Sequence, residues 1–308
     1  MAATRVVAIL GLAVLAGCAG KDAAAPPEAA GPAAAQPEPP TRDQLLSATV
    51  AGVLPQPVTL IDGRYEGPPA QAGAASRSSV VLMQPTVQFG DVDGVPPREA
   101  IALLAVDTGG SGAFVHLGIF AMRDGKAQTI ATAPVGDRVK VFRSWLERDK
   151  VHMDVVEAGP GERACCPTQL TRKAFGLQDG KLVLLESAPV GYMSIQMLAA
   201  TDWMLVEMDG QTLPDGVMPP TALIQYGKIT GFAGCNRYTG PIAEPQSGKL
   251  DVGDVAATKK ACEGGANDLE ARFLARLGQV DAYTFQAGRL VLSGSSAPGA
   301  PATLVFSR

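Results

Sequence analysis

The sequence predicts a mostly β, α+β protein, in which an N-terminal antiparallel β-rich domain precedes a curved antiparallel sheet with one packed helix. Three observations predict it. Short apolar runs are separated by Gly-containing turns, several of them Asp-Gly pairs whose residues tolerate the positive φ of a tight hairpin. The stretch Val139 to Val156, and another after Pro220-Thr221, alternate in the period-2 manner of half-buried strands. Leu269, Phe273, Leu277 and Val280 recur at helical spacing, so one helix lays one face on a core.

The chain opens with one charge, Arg5, and an apolar run from Val6 to Ala16. That run has the length of a signal-peptide core and falls short of the ~20 residues a spanning helix needs. It ends in Leu15-Ala16-Gly17-Cys18. Small residues before a cysteine resemble the lipobox of bacterial lipoproteins. The resemblance implies removal of residues 1–17 as a signal peptide, a diacylglycerol on the Cys18 thiol and an acylated new N-terminus. Several acyl chains would make the membrane a stable partner, where one chain is marginal. Residue 19 is Ala rather than Asp. For a protein of this kind that implies the outer membrane, on its periplasmic face.

Composition agrees with export. The formal charge is −4, and losing Arg5 takes the mature chain to about −5. With no basic block and few aromatics, a nucleic-acid partner is not expected. No later stretch reaches spanning length, so the chain after Cys18 is expected to be soluble. Residues 18–40 read as the lipidated cysteine followed by a disordered Ala/Pro tether. Prolines at 26, 27, 32, 37, 39 and 40 oppose a helix, and branched aliphatic residues are missing.

Residues 41–186 read as the β-rich extracytoplasmic domain. Val58-Thr59-Leu60-Ile61 precedes Asp62-Gly63, Phe120-Ala121-Met122 precedes Asp124-Gly125, and Leu182 to Leu185 follows Asp179-Gly180. Two strands are expected to meet near Glu147 to Lys150, with Val139, Val141, Val151, Met153 and Val155 on the buried face.

Three stretches of this domain invite chemistry. Asp91 and Asp93, completed by Glu99, form a weak candidate calcium site, because carboxylates two residues apart can face one hard cation. The turn lacks the further oxygen ligands of calcium loops, so an acidic β-turn is the preferred reading. Gly109-Gly110-Ser111-Gly112 misses the nucleophile-elbow pattern because residue 113 is Ala, and reads as a Gly-rich turn. Cys165-Cys166 with His116 and His152 would supply a zinc ligand set, but without the usual spacing. Together with Gly136-Asp137-Arg138-Val139, these stretches resemble an uncharacterised bacterial extracytoplasmic domain, which implies no function. Residues 187–198 read as an interdomain linker.

The last domain, residues 199–308, opens with Trp203-Met204-Leu205. Lys228-Ile229-Thr230-Gly231-Phe232-Ala233-Gly234-Cys235-Asn236-Arg237-Tyr238-Thr239-Gly240 follows, then Leu250-Asp251-Val252-Gly253 and Ala257-Thr258-Lys259-Lys260-Ala261-Cys262. Leu290-Val291-Leu292 and Leu304-Val305-Phe306 close it. These motifs resemble the META (HslJ-like) domain over nearly its whole length, departing from it at Lys260, where methionine is frequent. The helix is expected to be capped by Asn267 with Glu270 as its capping-box partner, and to end at Gly278. Cys18 being taken by lipid, four cysteines allow three full pairings. Adjacent Cys165 and Cys166 are poor partners for each other. Cys235 and Cys262 each end a family-like motif, which favours a disulfide between them in an oxidising compartment. The competing reading makes both of them small buried hydrophobes.

Asn236, Arg237 and Tyr238 have two readings. In one they organise a loop, with the Tyr238 hydroxyl pointing outward. In the other they form a binding surface for a peptide, an envelope component or a small ligand. The functional expectation is a non-catalytic envelope lipoprotein without cofactor. Its role is to bind an unknown envelope protein or small ligand, or to protect against stress; the family resemblance implies heat shock and tolerance of the antibiotic novobiocin. The alternative is a carrier or pilotin-like lipoprotein holding an apolar ligand or a partner's tail. A hydrolase is disfavoured, since neither histidine has a matching nucleophile motif.

Overall fold

The computed structural model describes residues 38–69, 76–294 and 302–308. The signal peptide, Cys18 and the tether as far as residue 37 lie outside the described residues. The described residues belong to one unit, 36–308. They are dominated by antiparallel strands, with one helix of length, as the sequence predicts.

The first half holds two sheets. A short helix α1 (Arg42–Leu45) leads into β1 (Thr49–Val50), β2 (Val58–Thr59), β3 (Arg64–Pro69), β4 (Arg77–Gly90), β5 (Glu99–Thr108), β6 (Phe114–Arg123) and β7 (Lys126–Asp137). They form one sheet in the order β2-β1-β7-β6-β5-β4-β3. Next come β8 (Lys140–Glu147), β9 (Lys150–Glu157), β10 (Gln169–Gln178) and β11 (Lys181–Tyr192), paired in sequence as a second sheet.

β5 shows how the layers are stacked. Its odd residues Ile101 and Leu103 face Val141, Val151, Met153, Val155 and Phe175 of the second sheet. Its even residues Ala100, Ala102, Leu104 and Val106 face Leu45, Val50 and Leu60 on the opposite side. Because side chains alternate along a strand, a strand buried on both faces reads as an unbroken apolar run, as Ala100 to Val106 does. β6 alternates in the same way: Val115, Leu117 and Ile119 enter one core, and Phe120, with Phe114 and Met122 beside it, the other.

The second half contains β12 (Trp203–Met208), β13 (Gln211–Thr212), β14 (Thr221–Gln225), β15 (Lys228–Phe232), β16 (Arg237–Ala243), β17 (Asp251–Val252) and β18 (Ala256–Ala257). Helix α2 (Ala266–Leu277) follows, then β19 (Ala282–Gln286), β20 (Arg289–Gly294) and β21 (Ala302–Ser307). The main path of the sheet runs β17-β16-β15-β14-β12-β21-β20-β19. It curls around α2, whose Leu269, Phe273 and Leu277 are buried with Trp203, Tyr238, Leu292 and Phe306.

This third core does not stop at residue 199. It includes Val156 of β9, with Phe142 of β8 and Leu170 of β10 packed against it. The Phe142 ring meets Phe285 edge-on with centroids 4.7 Å apart. Residues 187–198, expected as a linker, are built into both halves. Ser187 to Tyr192 complete β11, and Ile195–Leu198 form a 3-10 turn that buries Leu198 in the third core.

The helix begins differently from expectation. Its N-cap is Gly265, without a side-chain cap hydrogen bond. Asn267 lies inside the first turn, where its Nδ2 donates to the Cys262 carbonyl at 2.7 Å. Glu270 is engaged elsewhere, by Asn236. The capping box therefore yields here to a tertiary contact of Glu270 and to a local one of Asn267 with the preceding turn.

On the outer face of the second sheet, Asp154 lies in register between Arg143 and Arg172. It accepts from Arg143 Nε at 2.7 Å and from Arg172 Nε at 2.8 Å. Burial pushes the Asp154 carboxyl up, but the hydrogen bonds from Arg172 and Arg143 outweigh it and hold the carboxyl below its ordinary range. A depressed carboxylate contributes stability that is fully present above its unfolded pKa and is lost as pH falls through the folded value. Asp154→Asn is therefore expected to cost ~1–2 kcal/mol at neutral pH, discounted because both guanidiniums are part-exposed. The deficit should shrink below about pH 4, where the unfolded-state carboxyl protonates. Urea unfolding at pH 7 and pH 3 checks both; an equal deficit at the two would refute it.

Candidate functional site

The loop between β15 and β16 turns at Gly234, whose φ of 111° lies in a region that glycine adopts readily. It delivers Cys235 and Asn236 beneath the segment 258–262 and beside α2. Cys235 and Cys262 come to disulfide geometry with Cα atoms 5.9 Å apart.

Asn236 is buried, and its amide is fully spent. Oδ1 accepts from Thr258 Oγ1 and from the Lys260 amide, both at 2.8 Å. Nδ2 donates to the Lys260 carbonyl at 3.0 Å and to Glu270 Oε1 at 3.1 Å. The Asn236 backbone amide donates to Glu270 Oε2 at 2.5 Å. Two donors and two acceptor sites are all an asparagine side chain has. Asn236 therefore ties together a loop, an extended segment and a helix.

Tyr238 points inward. Its hydroxyl donates to the Thr221 carbonyl at 2.8 Å, and its ring packs edge-on against Phe273 with centroids 5.5 Å apart. Burial raises the phenol well above its ordinary value. The expected outward hydroxyl is thus corrected: β16 alternates, and Tyr238 falls on the buried face while Arg237 falls on the exposed one.

Arg237 lines an open cleft of about 940 Å³. Its walls include Met204, Met218, Leu223 and Phe232, with Lys260 beside Arg237. Met204 and Met218 remain 42% and 67% exposed, notable for large apolar side chains. The cleft adjoins Gly231, where an added Cβ would lie 2.0 Å from the Thr221 carbonyl oxygen. That carbonyl is the acceptor of Tyr238, so only glycine lets β15 pass so close to β14. The cleft was missed in the sequence, where Met218-Pro219-Pro220 was the one local signal.

The other candidates lie in the first half. Asp91, Asp93 and Glu99 bring one oxygen each within 4.8 Å of one another. Asp91 accepts the Gly94 amide at 2.6 Å, Asp93 the Val95 amide at 2.8 Å and buried Glu99 the Val92 amide at 2.8 Å. Burial raises the Glu99 carboxyl, opposed by the Val92 amide and reinforced by the charges of Asp93 and Asp91. One oxygen of each carboxylate is thus committed within the turn, whereas calcium takes six to eight oxygens.

Cys165 and Cys166 are exposed in the turn between β9 and β10, with sulfurs 2.6 Å apart. Glu162 closes that turn, accepting the Gly159 amide at 3.0 Å and the amide and hydroxyl of Thr168. Led by the Thr168 hydroxyl, these bonds bring its pKa down to about 2. The zinc set is not assembled: the carboxylate trio is the metal-competent group among the described residues. His116 is held on β6, where burial lowers its pKa, and His152 on β9, stacked on Trp145 with centroids 5.3 Å apart.

Comparison with known proteins bears on the half that holds the cleft. Residues 196–307 match the META domain. The matched region includes the loop that carries Cys235 and Asn236, α2 and the whole cleft. A solution structure of a protein from Burkholderia xenovorans is 28% identical and matches over 37% of this chain and 85% of that one, with a TM-score of 0.31. A second solution structure is 19% identical over 37% of this chain and 94% of that one, also with a TM-score of 0.31. No curated protein matches the chain.

Proposed function

We propose that this is a non-catalytic envelope protein whose META domain binds an extended apolar segment of a partner. The observation that carries the reading is the pair of exposed methionines, Met204 and Met218, in the cleft with Phe232. Methionine is polarisable and flexible, and suits surfaces that accept varied apolar side chains. Arg237 and Lys260 favour a segment flanked by acidic residues. The cleft is open, which suits a segment laid across the surface better than a sequestered apolar ligand. The lipobox-like Leu15-Ala16-Gly17-Cys18 supports tethering to a membrane, and the META domain a stress-related or envelope-associated role.

The test is site-specific photocrosslinking in the native envelope. A photoreactive residue replacing Met218 should yield a discrete adduct that one replacing Tyr226, 94% exposed on a hairpin turn, does not. Met204→Glu in the same chain should abolish the adduct, and Cys18→Ser should release the protein from the membrane fraction. No Met218-specific adduct would overturn the binding reading; unchanged membrane association of the Cys18 variant would overturn the tether.

A further inference from the structure

We infer that a second cleft, where the C-terminal strand meets the second sheet, binds a phosphate-type oxyanion. The cleft measures about 260 Å³ and is lined by Arg143 and Ser144 of β8, Thr86 and Gln88 of β4, Arg289 at the start of β20, and Arg308. Three guanidiniums, from β8, from β20 and from the residue after β21, converge on this small space.

The aromatic rings between them fix their positions. The Arg308 guanidinium lies 4.5 Å from the Phe142 ring centroid and 5.2 Å from that of Trp203. Arg143 lies 5.9 Å from the same Phe142 ring and 5.0 Å from Trp145. Arg308 is further held by donating from Nη2 to the Phe142 carbonyl at 3.2 Å. Arg143 Nε and Nη2 are held by Asp154 and Arg308 Nη2 by the Phe142 carbonyl, so stacking on the rings leaves Nη1 of each for the cleft.

The charges around the cleft are unbalanced. Asp154 serves both Arg143 and Arg172. Among the described residues Arg289 and Arg308 have no carboxylate within ion-pair distance. Burial and the charge of Arg143 lower the Arg308 pKa, as an uncompensated cation requires. Arg289 Nε is buried and has no hydrogen-bond partner. Buried donors are almost always satisfied, and the Arg289 guanidinium, which lines the cleft, has no acceptor of its own among the described residues. Ser144 adds a hydroxyl, itself accepting from Gln88 Nε2 at 2.6 Å.

The occupant follows from this donor set. A carboxylate offers two oxygens and one charge, enough for one guanidinium fork. A phosphate group offers three or four oxygens and up to two charges, and can engage Arg143, Arg289 and Arg308 together. The group could arrive as free phosphate or pyrophosphate, or as the headgroup of a phosphomonoester lipid. In either form it would cross-link the two halves of the chain, because Arg143 belongs to one and Arg289 and Arg308 to the other.

The test uses the full chain at constant ionic strength, titrated with inorganic phosphate, pyrophosphate or matching chloride and followed by calorimetry and Tm. In parallel it is floated with phosphatidylcholine vesicles with or without phosphatidic acid. Phosphate or pyrophosphate should bind and raise Tm beyond chloride, or phosphatidic acid should recruit the protein. The first outcome assigns the group to a free anion and the second to a lipid. Arg289→Gln and Arg308→Gln should each weaken binding on the order of tenfold. Arg289→Lys should recover part of it through charge alone, and Arg123→Gln, on the distant β6–β7 turn, should leave it unchanged. Far-UV circular dichroism confirms that each variant folds. No response to any of the three probes beyond chloride, or equal binding by folded Arg289→Gln and Arg308→Gln, would overturn the inference.

Discussion

Cys235→Ala should destabilise the META domain by ~3–4 kcal/mol in the oxidised protein. The bridge closes a loop of 27 residues' separation, and a cross-link of that span removes chain entropy of this size from the unfolded state. It also fastens the loop holding Asn236 to the segment that Asn236 binds, so its loss loosens both partners of that network. Reversible urea unfolding of the wild type, with and without reductant, should reproduce the cost of the substitution, and the variant should respond to reductant far less. If wild-type stability is unchanged by reductant, Cys235 and Cys262 act as two small buried hydrophobes instead. The same comparison by thiol labelling of native, unreduced protein should spare both residues while modifying exposed Cys165 or Cys166 when these are reduced.

The second large effect is expected at Asn236→Ala, ~2–4 kcal/mol. Each buried group left without a partner costs ~1–3 kcal/mol, and here the Lys260 amide, the Lys260 carbonyl, Thr258 and Glu270 all lose one bond, with partial recovery from water near exposed Lys260. Asn236→Asp separates shape from charge. It keeps the acceptor for Thr258 and Lys260 but sets a second carboxyl beside Glu270. Repulsion and burial raise the folded-state pKa of the introduced carboxyl above its unfolded value. The folded state then binds the extra proton more readily, so the destabilisation is greatest at neutral pH and eases as pH falls through that raised value. A loss below ~0.5 kcal/mol for Asn236→Ala would show that Asn236 is not the tie between loop, segment and helix.

Much of the fold was legible because its signals are local. At Asp62-Gly63, Asp124-Gly125 and Asp179-Gly180 both residues take positive φ, as the hairpins require. Two further tight turns, at Tyr226-Gly227 and Ala287-Gly288, carry no such signature in their first residue. There the pairing of β14 with β15 and of β19 with β20 imposes positive φ on side chains that seldom adopt it. The helix over Leu269 to Leu277 was legible from its apolar spacing. Its cap was not, because Glu270 gains more from the two donors of Asn236, 34 residues away, than from closing its own first turn.

The sequence by itself determined the order of strands and turns, the single amphipathic helix and the META motifs, since each depends on neighbours within a few residues. Only the tertiary structure decided which residues of those motifs are free to act. It consumed Asn236 and Tyr238 in internal hydrogen bonds and left Arg237 at the edge of a methionine-lined cleft. It gathered Arg143, Arg289 and Arg308, up to 165 positions apart in the chain, around one small space. Spacing along the chain carries no record of such meetings, because they are fixed by how sheets stack and curl, and by the burial of Val156 and Phe142 against the core of the other half.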